Sequence, residues 1–236
     1  MTGITERLAD AVGNVWLTGA RVVELTRPGA DFVRLVVQDD AFRSASWTPG
    51  GKVQFRPRRG TFQLRTYTPT RWDTGRGAFE LVAFTHGDGP GSDWFRTAAE
   101  GDPFEVSTPR KSVDLQASTG GVVFVGDESS VGLAVALRAV NPQVRYVFEA
   151  GEPEGLTALL DGLGLAGDVV VVGRGDDRSA LLREARAAAA DGPFDVVVTG
   201  DAATVHAVRR DTRGWDRRPG RVVGKAYWAE GRTGLD

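Results

Sequence analysis

The sequence predicts two domains in tandem, an antiparallel β-barrel followed by an open, parallel α/β sheet. Three observations predict it. Ahead of a small polar stretch, Gln116–Gly121 (QASTGG), β-branched and aromatic runs alternate with turn residues. Beyond it, continuous apolar runs of strand length alternate with helical patterns. The chain has 236 residues, 41% hydrophobic and 25% charged, which is more than one typical domain and too apolar for disorder. The division is placed between residues 117 and 118.

In the first half the expected strands are Val15–Leu25, Asp31–Gln38, Lys52–Arg56, Phe62–Thr68 and Ala78–His86. Phe32, Leu35 and Val37, and again Phe79, Leu81 and Ala83, give alternation of the kind a half-buried strand needs. Short strands at this spacing close into a barrel or sandwich. One helix interrupts them: Ser92 is the expected N-cap for Asp93–Ala99, and Gly101 stops it. In the second half the strands are Val122–Val125, Val144–Phe148, Val169–Val172, Phe194–Val198 and Arg221–Val223. The helices between them are Ser130–Val140, Pro153–Leu163, Ser179–Ala190 and Ala202–Asp211. Leu181, Leu182, Ala185, Ala188 and Ala189 form a helical stripe.

Composition narrows the chemistry. Basic and acidic residues, 29 against 31, leave a net charge of −2, so neither nucleic acid nor an anionic membrane is an expected partner. With no cysteine and only His86 and His206, thiolate zinc, ordinary iron–sulfur and polyhistidine sites are excluded, and no metal site is expected. Electron transfer would need an organic cofactor. No apolar run approaches the roughly 20 residues of a membrane span, and the polar start, Met1–Asp10, does not read as a secretory signal. A cytoplasmic location is expected.

Four segments carry possible chemistry. Arg65-Thr66-Tyr67-Thr68 ends a strand. Arginine pairs phosphate bidentately, tyrosine stacks on a flat ring, and alternation puts Arg65 and Tyr67 on one face. An ordinary barrel strand with an exposed arginine fits as well. His86-Gly87-Asp88-Gly89-Pro90-Gly91-Ser92 runs into a helix, where backbone N–H groups can meet an anion. A plain surface turn is the other reading. Together the two segments read as a clamp for a flavin dinucleotide.

Gly126-Asp127-Glu128-Ser129-Ser130-Val131-Gly132 follows the first α/β strand, where a dinucleotide-binding turn belongs, but it lacks the G-x-G-x-x-G glycines. Its two acids would repel a pyrophosphate unless they point away. Glu149 ends the next strand about 20 residues on, where an acid can accept from a ribose hydroxyl; a solvated strand end is its other reading. The tail, Lys225-Ala226-Tyr227-Trp228-Ala229-Glu230-Gly231, either covers a ring system or plugs the core. His206, inside an alanine-rich helix, reads as structural.

With these residues in view, the chain resembles the siderophore-interacting protein family, FAD-containing ferric-siderophore reductases of the ferredoxin-reductase-like superfamily. The marks are Arg34, Arg65-Thr66-Tyr67-Thr68, Phe84-Thr85-His86-Gly87 leading to Gly89-Pro90-Gly91-Ser92 and Trp94, Gly101-Asp102, Gly126-Asp127-Glu128, and Tyr227-Trp228 with Gly231. The resemblance implies an FAD-binding barrel and an α/β domain that takes NADH or NADPH or meets a ferredoxin-type donor. It implies that Arg65 holds the pyrophosphate, that Tyr67 and Thr68 contact the isoalloxazine, and that Thr66 belongs to the same clamp. Thr85, His86, Gly87, Gly89, Pro90, Gly91 and Ser92 secure the phosphates and adenosine side. By the same resemblance Asp127 and Glu128 would face the inter-domain cleft, with Glu149 and Arg174 as further nucleotide candidates, and Tyr227 and Trp228 would close over the flavin region. Glu149 leans toward NADH and Arg174 toward NADPH.

Two departures stand out. Where the family commonly has a hydrophobic residue and then arginine after Tyr-Thr, this chain has Pro69 and Thr70; a basic residue after Tyr-Trp is replaced by Ala229. Both remove positive charge near the expected mouth, for which Lys225, Arg71, Arg58 and Arg59 are candidate replacements. The expected function is FAD-dependent reduction of a ferric chelate, a siderophore, releasing Fe(II). The alternatives are a general NAD(P)H-dependent flavin or diaphorase-type reductase and a non-catalytic flavin-binding module.

Overall fold

A computed structural model describes residues 16–118, 120–189 and 191–232. The chain divides into two compact units, one ending at Ser112 and the other beginning at Val113.

The first unit is built on seven strands: β1 Leu17–Gly29, β2 Phe32–Gln38, β3 Val53–Arg56, β4 Arg65–Tyr67, β5 Arg71–Asp73, β6 Ala78–Phe84 and β7 Pro103–Ser107. They form one sheet in the order β4-β3-β7-β1-β2-β6-β5, with antiparallel pairing throughout. Phe79 on β6 and Phe104 on β7 are three strand spacings apart along the sheet, about 14 Å. Their ring centroids are nevertheless 6.3 Å apart, so the sheet curls around its core. That core is aromatic. Phe42, Phe55, Phe79, Phe95 and Phe104 are all buried in one cluster.

Phe95 comes from helix α1, Pro90–Thr97, whose C-terminal carbonyls accept from Arg27: Phe95 O at 3.0 Å and Ala98 O at 2.9 Å. Arginine there suits both the unpaired carbonyls and the helix dipole. The expected N-cap is corrected. Gly89, not Ser92, is the cap residue, and Pro90 opens the helix, where its missing N–H costs nothing. The expected strand over Phe62–Thr68 shrinks to β4, with Phe62 exposed, and β5 and β7 are strands the pattern did not mark. Val15, the expected start of the first strand, lies outside the described residues.

The second unit has five strands, β8 Gly121–Gly126, β9 Val144–Ala150, β10 Val169–Gly173, β11 Phe194–Asp201 and β12 Val222–Trp228, all parallel in the order β10-β9-β8-β11-β12. Between them run helices α2 Val131–Arg138, α3 Pro153–Gly162, α4 Ser179–Ala187 and α5 Ala202–Asp211. On one face Val123, Val125, Val147, Val196 and Val198 pack with Leu181 and Ala185 of α4 and Val205 and Val208 of α5. On the other, Phe124 packs against Tyr146 and Phe148, and Tyr146 donates to the α2 carbonyl of Ala134 at 3.3 Å. Burial of both faces explains the apolar runs of the central strands β8, β9 and β11, while the edge strands β10 and β12 are half-buried. Ala190, the expected end of α4, lies outside the described residues.

The expected two-domain class, antiparallel then parallel, is the one observed. The last strand is longer than its apolar core, Val222–Val223, suggested, so Lys225, Tyr227 and Trp228 lie on a strand. The chain steps outward from β8 to β10 and returns to β11 on the other side. The reversal falls between β8 and β11, which is where open α/β sheets place ligands, beyond the strand C-termini.

Candidate functional site

In the first unit the two clamp segments meet. The Cβ that Gly91 lacks would stand 3.2 Å from Cγ of Arg65 and 3.3 Å from the Tyr67 hydroxyl, so the first turn of α1 rests on β4. A side chain here would push the arginine and tyrosine off the turn. Tyr67 meets Phe95 edge-on, centroids 5.1 Å apart, and burial pushes its hydroxyl pKa above the usual tyrosine range. It is a neutral ring at any physiological pH. Arg65 is half-buried, with Nη1 donating to Leu64 O at 2.9 Å. Thr66 and Thr68 are also half-buried.

The glycine segment is tied down from behind. Ser92 Oγ donates to His86 O at 2.8 Å, and Arg96 Nη2 donates to Thr85 O at 3.1 Å and Gly87 O at 2.8 Å. Gly87 has φ +61°, a left-handed turn that favours glycine. Thr85 is buried and gives both its N–H and its hydroxyl to Asp31 O, so it anchors the loop. His86 is exposed, its ring stacked on Phe84 at 5.1 Å. Among the described residues no side chain caps α1 at Gly89. Arg65 lies beside this first turn at Gly91. Arg96 and Arg27 were not singled out from the sequence, because a carbonyl-bound arginine looks like any other.

The basic candidates separate. Arg59 donates from Nε to Glu105 Oε1 at 2.7 Å, and Glu105 also takes Nε of the buried Arg56 at 2.6 Å. Arg58 and Arg71 are exposed, and Lys225 is half-buried in mid-β12. Thr70 is buried and donates to Glu80 Oε1 at 2.7 Å, while Arg34 donates to Glu80 Oε2 at 2.6 Å.

In the second unit Asp127, Glu128, Glu149, Arg174 and Trp228 converge beyond the strand C-termini. Asp127 and Glu128 are 1% and 6% exposed. The Asp127 carboxylate accepts from five donors: Ser129 N, Ser129 Oγ, Ser130 Oγ, Asp201 N and Trp228 Nε1, the last two at 3.0 and 2.7 Å. Burial pushes its carboxyl up, against the pull of Ser129 and Trp228. Three of those donors are N–H groups, which only an oxygen lone pair can satisfy. Gly200 makes room for it. At φ +110° its missing Cβ would fall 2.3 Å from Asp127 Oδ2.

Glu128 accepts from Gly151 N at 2.8 Å and pairs with Arg174, whose guanidinium lies 5.7 Å from the Trp228 ring centroid. Both acids are engaged by the chain's own donors and knit the turn to its neighbours. Glu149 is not at a solvated strand end. It is 1% exposed, its Oε1 accepts from Thr204 Oγ1 at 2.5 Å, and its Oε2 is buried without a hydrogen bond among the described residues. Burial pushes its carboxyl up. Arg178, the one non-glycine at positive φ among the described residues, is held there by Thr204, Asp176 and Asp201. A cavity of about 490 Å³ lies at the opposite edge, by Gly121, Val144 and Pro193, away from all of these groups.

An antiparallel unit followed by this parallel sheet defines the ferredoxin-reductase-like, two-domain class. Residues 4–113 match the model of the siderophore-interacting FAD-binding domain. The chain is similar to the siderophore-interacting protein SipS of Aeromonas hydrophila, with a TM-score of 0.76, 17% identity and coverage of 92% of this chain and 93% of that one. A siderophore-interacting protein of Acinetobacter baumannii gives 0.71 and 16% with 92% of both chains, and phthalate dioxygenase reductase gives 0.71 and 18% with 92% of this chain and 70% of that one. At these identities the likeness is one of fold. No curated protein matches the chain. The resemblance drawn from the motifs therefore stands.

Proposed function

We propose that the chain is an FAD-dependent ferric-chelate reductase whose first unit holds the flavin and whose second unit meets the electron donor, NADH or NADPH or a ferredoxin-type protein. The observation that carries this reading is the seating of Gly91 against Arg65 and Tyr67, which puts a guanidinium, a neutral ring and an uncapped helix turn side by side. Those residues fit a flavin dinucleotide. Arg65 and the N–H groups of the first α1 turn would hold the diphosphate. Tyr67 and Thr68 would meet the isoalloxazine, and His86 and the Gly87–Ser92 loop the adenosine side. When bound, FAD supplies two-electron uptake and one-electron delivery.

The chain's own part is to bind, orient and keep charge in order. Thr85, Ser92 and Arg96 fix the loop so that its N–H groups need no rearrangement when an anion arrives. The absence of cysteine and the scarcity of histidine favour electron transfer to a ferric chelate over iron held by protein ligands. Loss of one hydride would oxidise a nicotinamide donor, its two electrons would reduce two ferric centres one at a time, and one proton would be released. Fe(II) is a softer ion than Fe(III), so hard oxygen donors let it go. Arg58 and Arg71, both exposed in the first unit, are the residues we assign to an anionic chelate; Arg59 is engaged by Glu105. A cytoplasmic protein is the matching setting.

The same engagement of Arg59, with Pro69 and Thr70 buried and uncharged, favours as the second reading a general flavin reductase of diaphorase type. Anaerobic stopped-flow decides. Flavin bleaching by NADH or NADPH, then recovery on mixing with anionic ferric chelates and loss of that recovery at high salt, is the expected result. Equal recovery on neutral quinones at any salt supports the second reading. Protein that acquires no flavin absorbance on adding FAD overturns both.

A further inference from the structure

The turn after β8 is the place where an open α/β sheet normally cradles a dinucleotide's phosphates, through backbone N–H groups at a helix start. Here the chain's own groups already occupy that cradle at Asp127, Ser129, Ser130 and Asp201. The Asp127 carboxylate takes Ser129 N, Asp201 N and both serine hydroxyls, Ser130 N is bonded to Asp127 O, and Asp127 N meets Ser130 Oγ. The carboxylate lies in the space over Gly200 and is buried. It stands where a ligand's anion would stand.

Three groups near it remain to be weighed. Glu149 is withdrawn: buried, with Thr204 on one oxygen. Arg178 is spent, since Nε, Nη1 and Nη2 are all donated to Thr204, Asp176 and Asp201. Arg174 is different. Only its Nη2 is hydrogen-bonded, to Glu128, among the described residues; the side chain is 36% exposed, and one face lies toward Trp228. Nε and Nη1 are left for a ligand. Acids flank it on the surface, Glu152 and Glu154 after β9 and Asp176 and Asp177 after β10, so a phosphate bound here must come onto the guanidinium itself.

We infer that Asp127 is a built-in anion filling the phosphate cradle of the second unit, and that the phosphates of a donor nucleotide are held by Arg174 instead. This rests on the reading of that unit as the donor domain. It also makes Trp228 a reporter, because a phosphate on Arg174 changes the charge above the indole.

The test uses FAD-saturated protein, so that the flavin site is filled, and titrates 5′-AMP, ADP and 2′,5′-ADP by calorimetry and by tryptophan fluorescence. Arg174→Ala is expected to weaken the tightest of these at least tenfold, Arg174→Lys to keep most of the binding, and Trp228→Phe to remove the ligand-dependent fluorescence change. Asp127→Asn is expected to alter affinity less than twofold, because the plug remains. A tenfold gain in that variant would mean the phosphate sits in the cradle and was only repelled, which overturns the inference. Unchanged binding in Arg174→Ala overturns it too. No binding by any of the three nucleotides overturns it while leaving ferric-chelate reduction by chemically reduced flavin to be judged alone. Should Asp127→Asn not fold, Arg174→Ala against Arg174→Lys still decides, since binding unchanged in both overturns the inference.

Discussion

Two turns of this chain look alike in sequence and differ in use. Both carry glycine, both lead from a strand into a helix, and both end near serine. In the His86–Ser92 turn the side chains look backward: Ser92 and Arg96 bond carbonyls of the loop, and the N–H groups at the start of α1 are left with an arginine beside them. In the Gly126–Ser130 turn the side chain looks inward. Asp127 folds onto the N–H groups and consumes them. Glycine therefore tells where a backbone can come close to an anion. Whether the anion is a ligand or the chain's own carboxylate depends on the residue beside it.

The comparison breaks first at Asp127. Replacing it by alanine strands three N–H donors in a buried place and should cost about 3–5 kcal/mol, the range for stripping one partner from a buried charged network. Chemical denaturation of wild type and Asp127→Ala checks it, and a loss under about 1 kcal/mol would show that water replaces the carboxylate easily. In the open turn the same kind of change acts on the ligand. Arg65→Ala should weaken FAD retention by about 1.5–3 kcal/mol, the worth of a hydrogen bond to a charged group, with little change in the denaturation midpoint of the flavin-free protein. Flavin fluorescence after dialysis measures it. If retention does not change, the clamp lies elsewhere.

Much of this was legible. Continuous apolar runs announced the parallel sheet: Val122–Val125 and Val144–Phe148 fall within the largely buried β8 and β9, while Val169–Val172 falls within the edge strand β10, which is half-buried with Val170 exposed. The two segments that the sequence reads as a clamp meet in the structure at Gly91. The short strands β5 and β7 were not: Arg71–Asp73 and Pro103–Ser107 take their conformation from pairing with β6 and β1, which a local pattern does not encode. The filled cradle was hidden for a related reason. Asp127 reads as a surface acid until Gly200, about 70 residues away, makes room for it.

Glu149 sharpens the contrast by pH. Arg174 and Arg178 face it, as do Asp127 and the Thr204 hydroxyl, and burial outweighs them so that its carboxyl is raised. An acid raised in the fold holds its proton more tightly there than in the unfolded chain. Its contribution is then most favourable below about pH 4, the ordinary glutamate value, and is lost as pH rises through the folded value. Glutamine does not titrate and still accepts from Thr204. Glu149→Gln should therefore gain stability relative to wild type between about pH 4 and pH 8, read from denaturation midpoints. A gap that narrows over this window would mean the carboxylate is stabilised in place.

The finest test lies at Ser92, where the sequence and the structure give opposite orders. A serine N-cap is costly to lose to alanine, by about 0.5–2 kcal/mol, and cheap to lose to glycine. With Gly89 as the cap, Ser92 is the third residue of α1, and glycine inside a helix is worse than alanine by about 0.8–1.0 kcal/mol. Its hydroxyl bond to His86 O is lost equally in both variants and cancels from the comparison. Ser92→Ala should thus be more stable than Ser92→Gly by up to about 1 kcal/mol, measured on flavin-free protein so that ligand binding does not mask the difference. The opposite order would move the start of the helix back to Ser92, lift Gly91 out of the first turn, and take the uncapped N–H groups away from Arg65.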